Sequence, residues 1–189
     1  SMDRVLDTQK DMSMKEAGNY SLSELGFTLG ARKRVRLKKD PKNKITIVGS
    51  KQAREGFTFI HRGPAEKCVE CEFRKVCSEN LEVNRVYEVV GVRKRQLFCT
   101  IHEDGARVVE VREAPVRTTI PIREAFEGAT STWKLGGCER GDCENYDLCH
   151  PLGLEPGDRC KVVEVVGRMD CPSDASSPLA IVLLHRMVE

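Results

Sequence analysis

Eight of the nine cysteines in this 189-residue chain fall into two sets with one rhythm, and that rhythm limits what the chain can fold into. Cys68, Cys71, Cys77 and Cys99 are spaced C-x2-C-x5-C-x21-C, and Cys138, Cys143, Cys149 and Cys171 are spaced C-x4-C-x5-C-x21-C. The last three cysteines of each set are related by one offset of 72 residues. The intervening text repeats too, since LEVNRVYEVVGV at 81–92 aligns with LEPGDRCKVVEV at 154–165 at an offset of 73. The chain therefore reads as two copies of one unit, each bringing four thiols into one short stretch of fold.

Many cysteines without a secretory leader point to a reducing compartment, where such sets bind metal rather than form disulfides. Thiolates suit Zn²⁺ and iron–sulfur centres alike. Structural zinc sites usually join two close pairs. Three close cysteines plus one remote is the pattern of a segment that covers three corners of a cubane while a distant residue completes it. Cys171 is followed by Pro172, as in the Cys-Pro ending of bacterial ferredoxin runs. The spacing predicts two iron–sulfur clusters per chain, of the 4Fe-4S type, with zinc as the alternative. Cys160 aligns with Tyr87 and is expected to pack in the core. His102 and His150 adjoin the sets but lack counterparts in the other repeat, and are read as solvated or core side chains. Phe73, Tyr146 and Trp133 are read as core rings.

The strands follow from short β-branched runs between Gly, Pro and charged turns. Those at 45–48, 57–61, 86–92, 106–112, 117–122, 161–166 and 180–184 are expected to be extended, with Pro121 ending the fifth or placing it at an edge. The one helical stretch expected in the body is at 123–126, and a weaker one begins at Ser21 or Ser23. The fold class is mainly β with little helix, in two pseudo-repeats of short strands, each stapled by a four-cysteine metal site. The expected organisation is an extension over 1–43, a first repeat over 44–112 and a second over 113–189.

Charge is uneven. Arg32, Lys33, Arg34, Arg36, Lys38, Lys39, Lys42 and Lys44 stand against Asp40 alone in 32–44, whereas 45–189 is mildly acidic. Such an arm could neutralise phosphates of RNA or DNA with little sequence preference, or could be a solvated extension. Aromatic residues are only 5% of the chain, too few for a surface built on many stacked bases. No apolar run is long enough to span a membrane, so the expectation is a soluble cytoplasmic protein with RNA, DNA or a protein as partner. No Gly-rich dinucleotide fingerprint, Walker loop, HExxH or GxSxG occurs. Four cysteines also saturate a zinc ion or a cubane, leaving no position for a substrate. The expected function is thus a metal-binding module. The alternatives are a redox or sulfur-handling iron–sulfur enzyme and a zinc-stapled structural protein.

The run KITIVGSKQAREGFTFIHRGPAEKCVECEFRKVC, the segment CTIHEDGARVVEVREAP, the phrase FEGAT and the stretch CENYDLCHPLGLEPGDRCKVVEV resemble an archaeal family of uncharacterised proteins numbered 0179. The likeness covers 44–189 and implies an archaeal, intracellular protein. It implies no activity. Separately, C-x2-C-x5-C at Cys68, Cys71 and Cys77 is similar to the clustered cysteines of iron-staple nucleases of the RecB type. Their upstream cysteine and carboxylate-rich core have no match here, so only the cluster-ligand idea carries over.

Overall fold

A computed structural model describes residues 20–21, 43–136 and 138–188. Its strands are β1 (Tyr20–Ser21), β2 (Lys44–Gly49), β3 (Thr58–Ile60), β4 (Val86–Leu97), β5 (Ala106–Glu113), β6 (Val116–Pro121), β7 (Thr130–Thr132), β8 (Arg159–Cys171) and β9 (Asp174–Arg186). Two four-residue helical turns interrupt them, α1 (Arg74–Cys77) and α2 (Tyr146–Cys149). The sheets run β1-β3-β4-β5-β2 and β6-β9-β8-β7. The second lobe's order is that of β3-β4-β5-β2 with its direction reversed, so the sequence repeat is a repeat of topology. In both lobes the first strand pairs with the last and the second with the third.

The correspondence extends to single hydrogen bonds. His61 donates its backbone N–H to Arg85, and Trp133 donates to Asp158, at 2.9 and 2.7 Å. Asn84 and Gly157 return bonds to His61 and Trp133. Both residues sit at positive φ, 62° and 100°, in the turn that starts the third strand of each lobe. Asn is among the few non-glycine residues that adopt this conformation readily. The ladders also slip at the same place, after Val89 in β4 and after Val162 in β8.

Alternation explains the burial. In β6, Val116, Thr118 and Ile120 face inward, while Arg117, Thr119 and Pro121 face outward. Pro121 closes this edge strand, as its missing N–H requires. Val48, Phe57, Phe59, Tyr87, Val89, Val109 and Val111 form the first core. The second gathers Val116, Trp133, Cys160, Val162, Val182 and Leu184, and takes in Ile60 and Val86 from the first lobe. The lobes therefore share one apolar interior across their boundary.

Two ion pairs lie at that boundary, and each joins a residue to its own repeat counterpart. Arg85 makes a two-pronged contact with Asp158 at 2.5 and 3.0 Å, and Arg186 makes another with Glu113 at 2.7 and 2.9 Å. Both pairs are separated by 73 residues, the offset that relates the repeats. When two copies pack through the same surface, residues near the axis relating them meet their own equivalents. Identical copies would oppose like charges there, whereas this chain has divided each position into a cation and a carboxylate.

Several expectations change in detail. β4, β8 and β9 run well beyond the expected spans, because the hairpins continue past the core as exposed ribbons. The expected helix at 123–126 is a 3-10 turn, Ile122–Glu124. Ser21 lies in β1, while the rest of the weaker helix falls outside the described residues.

Candidate metal centres

The first strand of each lobe carries the cysteine-bearing segment. Thr46 in β2 is fully buried and donates its hydroxyl to the carbonyl of Cys77 at 2.8 Å. Thr118 in β6 is likewise fully buried and donates to Leu148 at 2.8 Å. A buried hydroxyl left unsatisfied costs about 1–3 kcal/mol, so these bonds fix where each turn docks. Asn80 adds a bond to the carbonyl of Ile45. The two threonines occur 72 residues apart, and that shared offset was the sequence signal for them.

The turns themselves are equivalent. The N–H of Arg74 bonds Cys71 and that of Tyr146 bonds Cys143; the N–H of Cys77 bonds Phe73 and that of Cys149 bonds Asn145. The second and third cysteines of each set are thus placed by the same backbone geometry. The Cys77 thiol donates to the carbonyl of Ile47 at 3.5 Å, and at the matching position Thr119 donates its hydroxyl to the Cys149 sulfur at 3.3 Å.

The fourth cysteine arrives differently in the two lobes. Cys99 lies in the loop after β4, and this loop is docked on the end of β2. Ser50 donates to Gly105, Lys51 pairs with Asp104 at 2.5 Å, and the His102 ring lies against Gly49. A Cβ on Gly49 would stand 2.7 Å from that ring, so glycine is what admits it. Cys171 ends β8 and pairs with Asp174 across a tight turn. Arg140 ties the turn to the other cysteines of its set. Its guanidinium donates to Ser173 at 3.4 Å and lies within electrostatic reach of Cys143 and Cys138.

All nine cysteines are free thiols. Burial pushes the Cys77 thiol up to about 12, and the neighbouring Cys68, Cys99 and Cys71 push it further in the same direction. Cys68 is raised as well, first by burial and then by Cys71 and Cys99, against a backbone bond to Ala65. The four side chains of the first set therefore share one electrostatic neighbourhood. Among the described residues, no three His, Cys, Asp or Glu side chains stand at metal-ligating spacing. As chemistry the donor set fits a thiophilic cation, which would offset the mutual repulsion of clustered thiolates.

The neighbouring residues take ordinary places. His150 stacks on Tyr146 with ring centroids 4.0 Å apart, and its Nδ1 meets the carbonyl of Tyr146. Cys160 is fully buried in the second core, and burial raises its thiol to about 11. Trp133 is buried in the second core as expected, whereas Phe73, which caps the start of α1, and Tyr146 are only partly buried on the cysteine turns and belong to neither core. Lys44 opens β2 within electrostatic reach of Glu82. Arg32, Lys33, Arg34, Arg36, Lys38, Lys39 and Lys42 lie outside the described residues. Among those residues, no helix is long and apolar enough to cross a membrane.

Fold and cysteine placement define a class: a mainly β protein of two repeated lobes, each docking the turn that carries its third cysteine on its first strand. The chain belongs to the uncharacterised protein family UPF0179, whose profile matches residues 44–184. It is 39% identical to a UPF0179 protein of Methanosarcina barkeri over 142 residues, which cover 75% of this chain and 95% of the relative. A Methanocaldococcus jannaschii relative is 38% identical over 143 residues, covering 75% and 95%. One from Pyrococcus furiosus is 42% identical over 127 residues, covering 67% and 87%. No solved structure matches the chain.

Proposed function

We propose that this protein binds two metal centres, one per lobe, and that each is an iron–sulfur cluster of the 4Fe-4S type. Cys68, Cys71, Cys77 and Cys99 hold one, and Cys138, Cys143, Cys149 and Cys171 hold the other. The observation that carries this reading is the repeated seating of the cysteines, with the same turn hydrogen bonds and the same buried threonine anchoring them to the first strand. A fold that merely buried free thiols would have no reason to reproduce that arrangement twice. The spacing of three close cysteines and one remote favours a cubane over zinc. Each lobe is small for its core, so a metal contributes folding free energy outright. With cysteine at every corner, a cluster serves as a staple or an electron store.

Anaerobic purification followed by iron, zinc and acid-labile sulfide analysis tests the reading. Two 4Fe-4S clusters require about eight iron and eight sulfide per chain and a brown protein. About two zinc per chain in a colourless protein would instead establish a zinc-stapled structural protein. A folded chain with neither metal would end the proposal.

A further inference from the structure

We propose that the outer half of the β4–β5 hairpin is a docking surface for single-stranded nucleic acid. Between Val92 and Gln96 the ladder slips, so that Arg93, Lys94 and Arg95 on β4 face Val108 alone on β5. Such a bulge bends its strand outward and frees its side chains. All three cations are exposed, and Arg107 lies opposite Gln96 on the partner strand. β3 covers the other edge of β4 only as far as Glu88, so this stretch of β4 is flanked by β5 alone among the described residues.

The four cations have no ion-pair partner among the described residues. Elsewhere the chain readily pairs its arginines, as at Arg85, Arg112 and Arg186. The carboxylates nearest in sequence are Glu88 and Glu110 on the hairpin strands and Glu103 and Asp104 in the turn; Glu88 is paired with Arg112, Glu110 accepts from Asn43 and Asp104 is occupied by Lys51. Immediately after β4 comes Phe98, whose side chain is 86% exposed. Cations that neutralise phosphates beside an exposed ring that accepts an unstacked base are the elements of single-strand recognition.

The second lobe provides an internal control. Its hairpin has the same place in the fold, yet where Arg93, Lys94 and Arg95 stand the second lobe has only two residues, Val166 and Gly167, and Arg168, which matches Gln96, is paired with Asp170 at 3.6 Å. The position of Phe98 is taken by Asp170. The hairpin therefore forms without the cluster or the ring, and folding does not explain why the first lobe carries them. The inference stands on this hairpin and not on what occupies the cysteines.

The test uses the full chain and a labelled oligouridylate of about a dozen nucleotides, with affinity followed by fluorescence anisotropy across a salt series. Each single-strand phosphate neutralised contributes about −0.7 to the slope of log affinity against log salt. The triple change Arg93→Gln, Lys94→Gln, Arg95→Gln should flatten the slope by about 2. Phe98→Ala should weaken binding about tenfold with the slope unchanged. Arg93→Lys with Arg95→Lys should keep the slope, and Arg168→Gln should leave binding as it was. A triple variant that melts like the parent yet binds with the parent's affinity and slope overturns the proposal, as does a full chain without salt-sensitive binding. Should the triple variant melt early, the affinity of Phe98→Ala decides in its place, and a Phe98→Ala chain that melts like the parent and binds as tightly overturns the proposal. Polyglutamate competing as well as the oligonucleotide would make the partner an acidic protein and reject nucleic acid.

Discussion

The Arg85–Asp158 pair offers an unusually clean experiment, because its two positions are repeat counterparts and the charges can be exchanged between them. Both side chains are largely buried, with 7% and 11% of their surface exposed. Arg85 also donates to the carbonyl of Gly153 and lies near Glu82 and Glu155, which are themselves repeat counterparts. Breaking a buried pair from one side leaves an uncompensated charge and costs about 3–5 kcal/mol. Arg85→Asp and Asp158→Arg should each cost that much, or a drop in melting temperature of about 10 °C for a chain of this size. The double exchange keeps one cation, one carboxylate and a nearby glutamate on each side of the boundary. It should recover at least half of the summed loss, a coupling of about 3 kcal/mol or more. Trp133 is the only tryptophan, is buried, and donates its backbone N–H to Asp158, so its fluorescence reports the affected region during denaturant unfolding. A double variant no more stable than the sum of its singles would show that these positions do not lie on a shared axis.

Gly153 sits at φ 97°, and an added Cβ would stand 2.6 Å from Val86, so Gly153→Ala should cost about 3 kcal/mol in denaturant unfolding, whereas Gly157→Ala, at similar φ in open space, should cost about 1. His61 is buried, its Nε2 meets the Ser78 carbonyl, and burial holds its pKa below the ordinary value of 6.5. The folded state then binds fewer protons than the unfolded chain just below that value, so urea midpoints should fall as the pH drops through 6.5, with a shallower fall in His61→Gln. Cys160→Ser should leave metal content unchanged and cost about 1–2 kcal/mol of stability, as a buried packing residue does. Cys77→Ser should remove one centre's complement of metal and leave the other's, and loss of both would show that the sets do not bind separately.

The repeat and most strands were legible because β-branched runs alternate with turn residues in both halves, and because the cysteines fix the alignment. β7 was not, since Thr130, Ser131 and Thr132 form a short polar edge without an apolar face. α1 and α2 are one turn each, too short for any helical period to register. The outer halves of β4 and β8 read as loops because their side chains are exposed on both faces. The cysteines stood out at once, whereas the threonines that dock them look like ordinary strand residues until the halves are laid together. Arg85, Glu113, Asp158 and Arg186 were invisible for another reason: a charged residue in sequence reads as surface, and only the packing of one lobe on the other buries it. The hairpin cations at 93–95 are only three in a row, and the denser basic run at 32–44 dominates the charge pattern of the sequence.

β5 ends at Glu113 and β6 begins at Val116, so only Ala114 and Pro115 join the lobes. Ala114 is itself buried and bonded to Val86, which packs into the second core. A joint this short, one of whose two residues is a proline, cannot act as a hinge. The placement of one lobe on the other is therefore a constant of the molecule. A partner that engages one lobe orients the other with it.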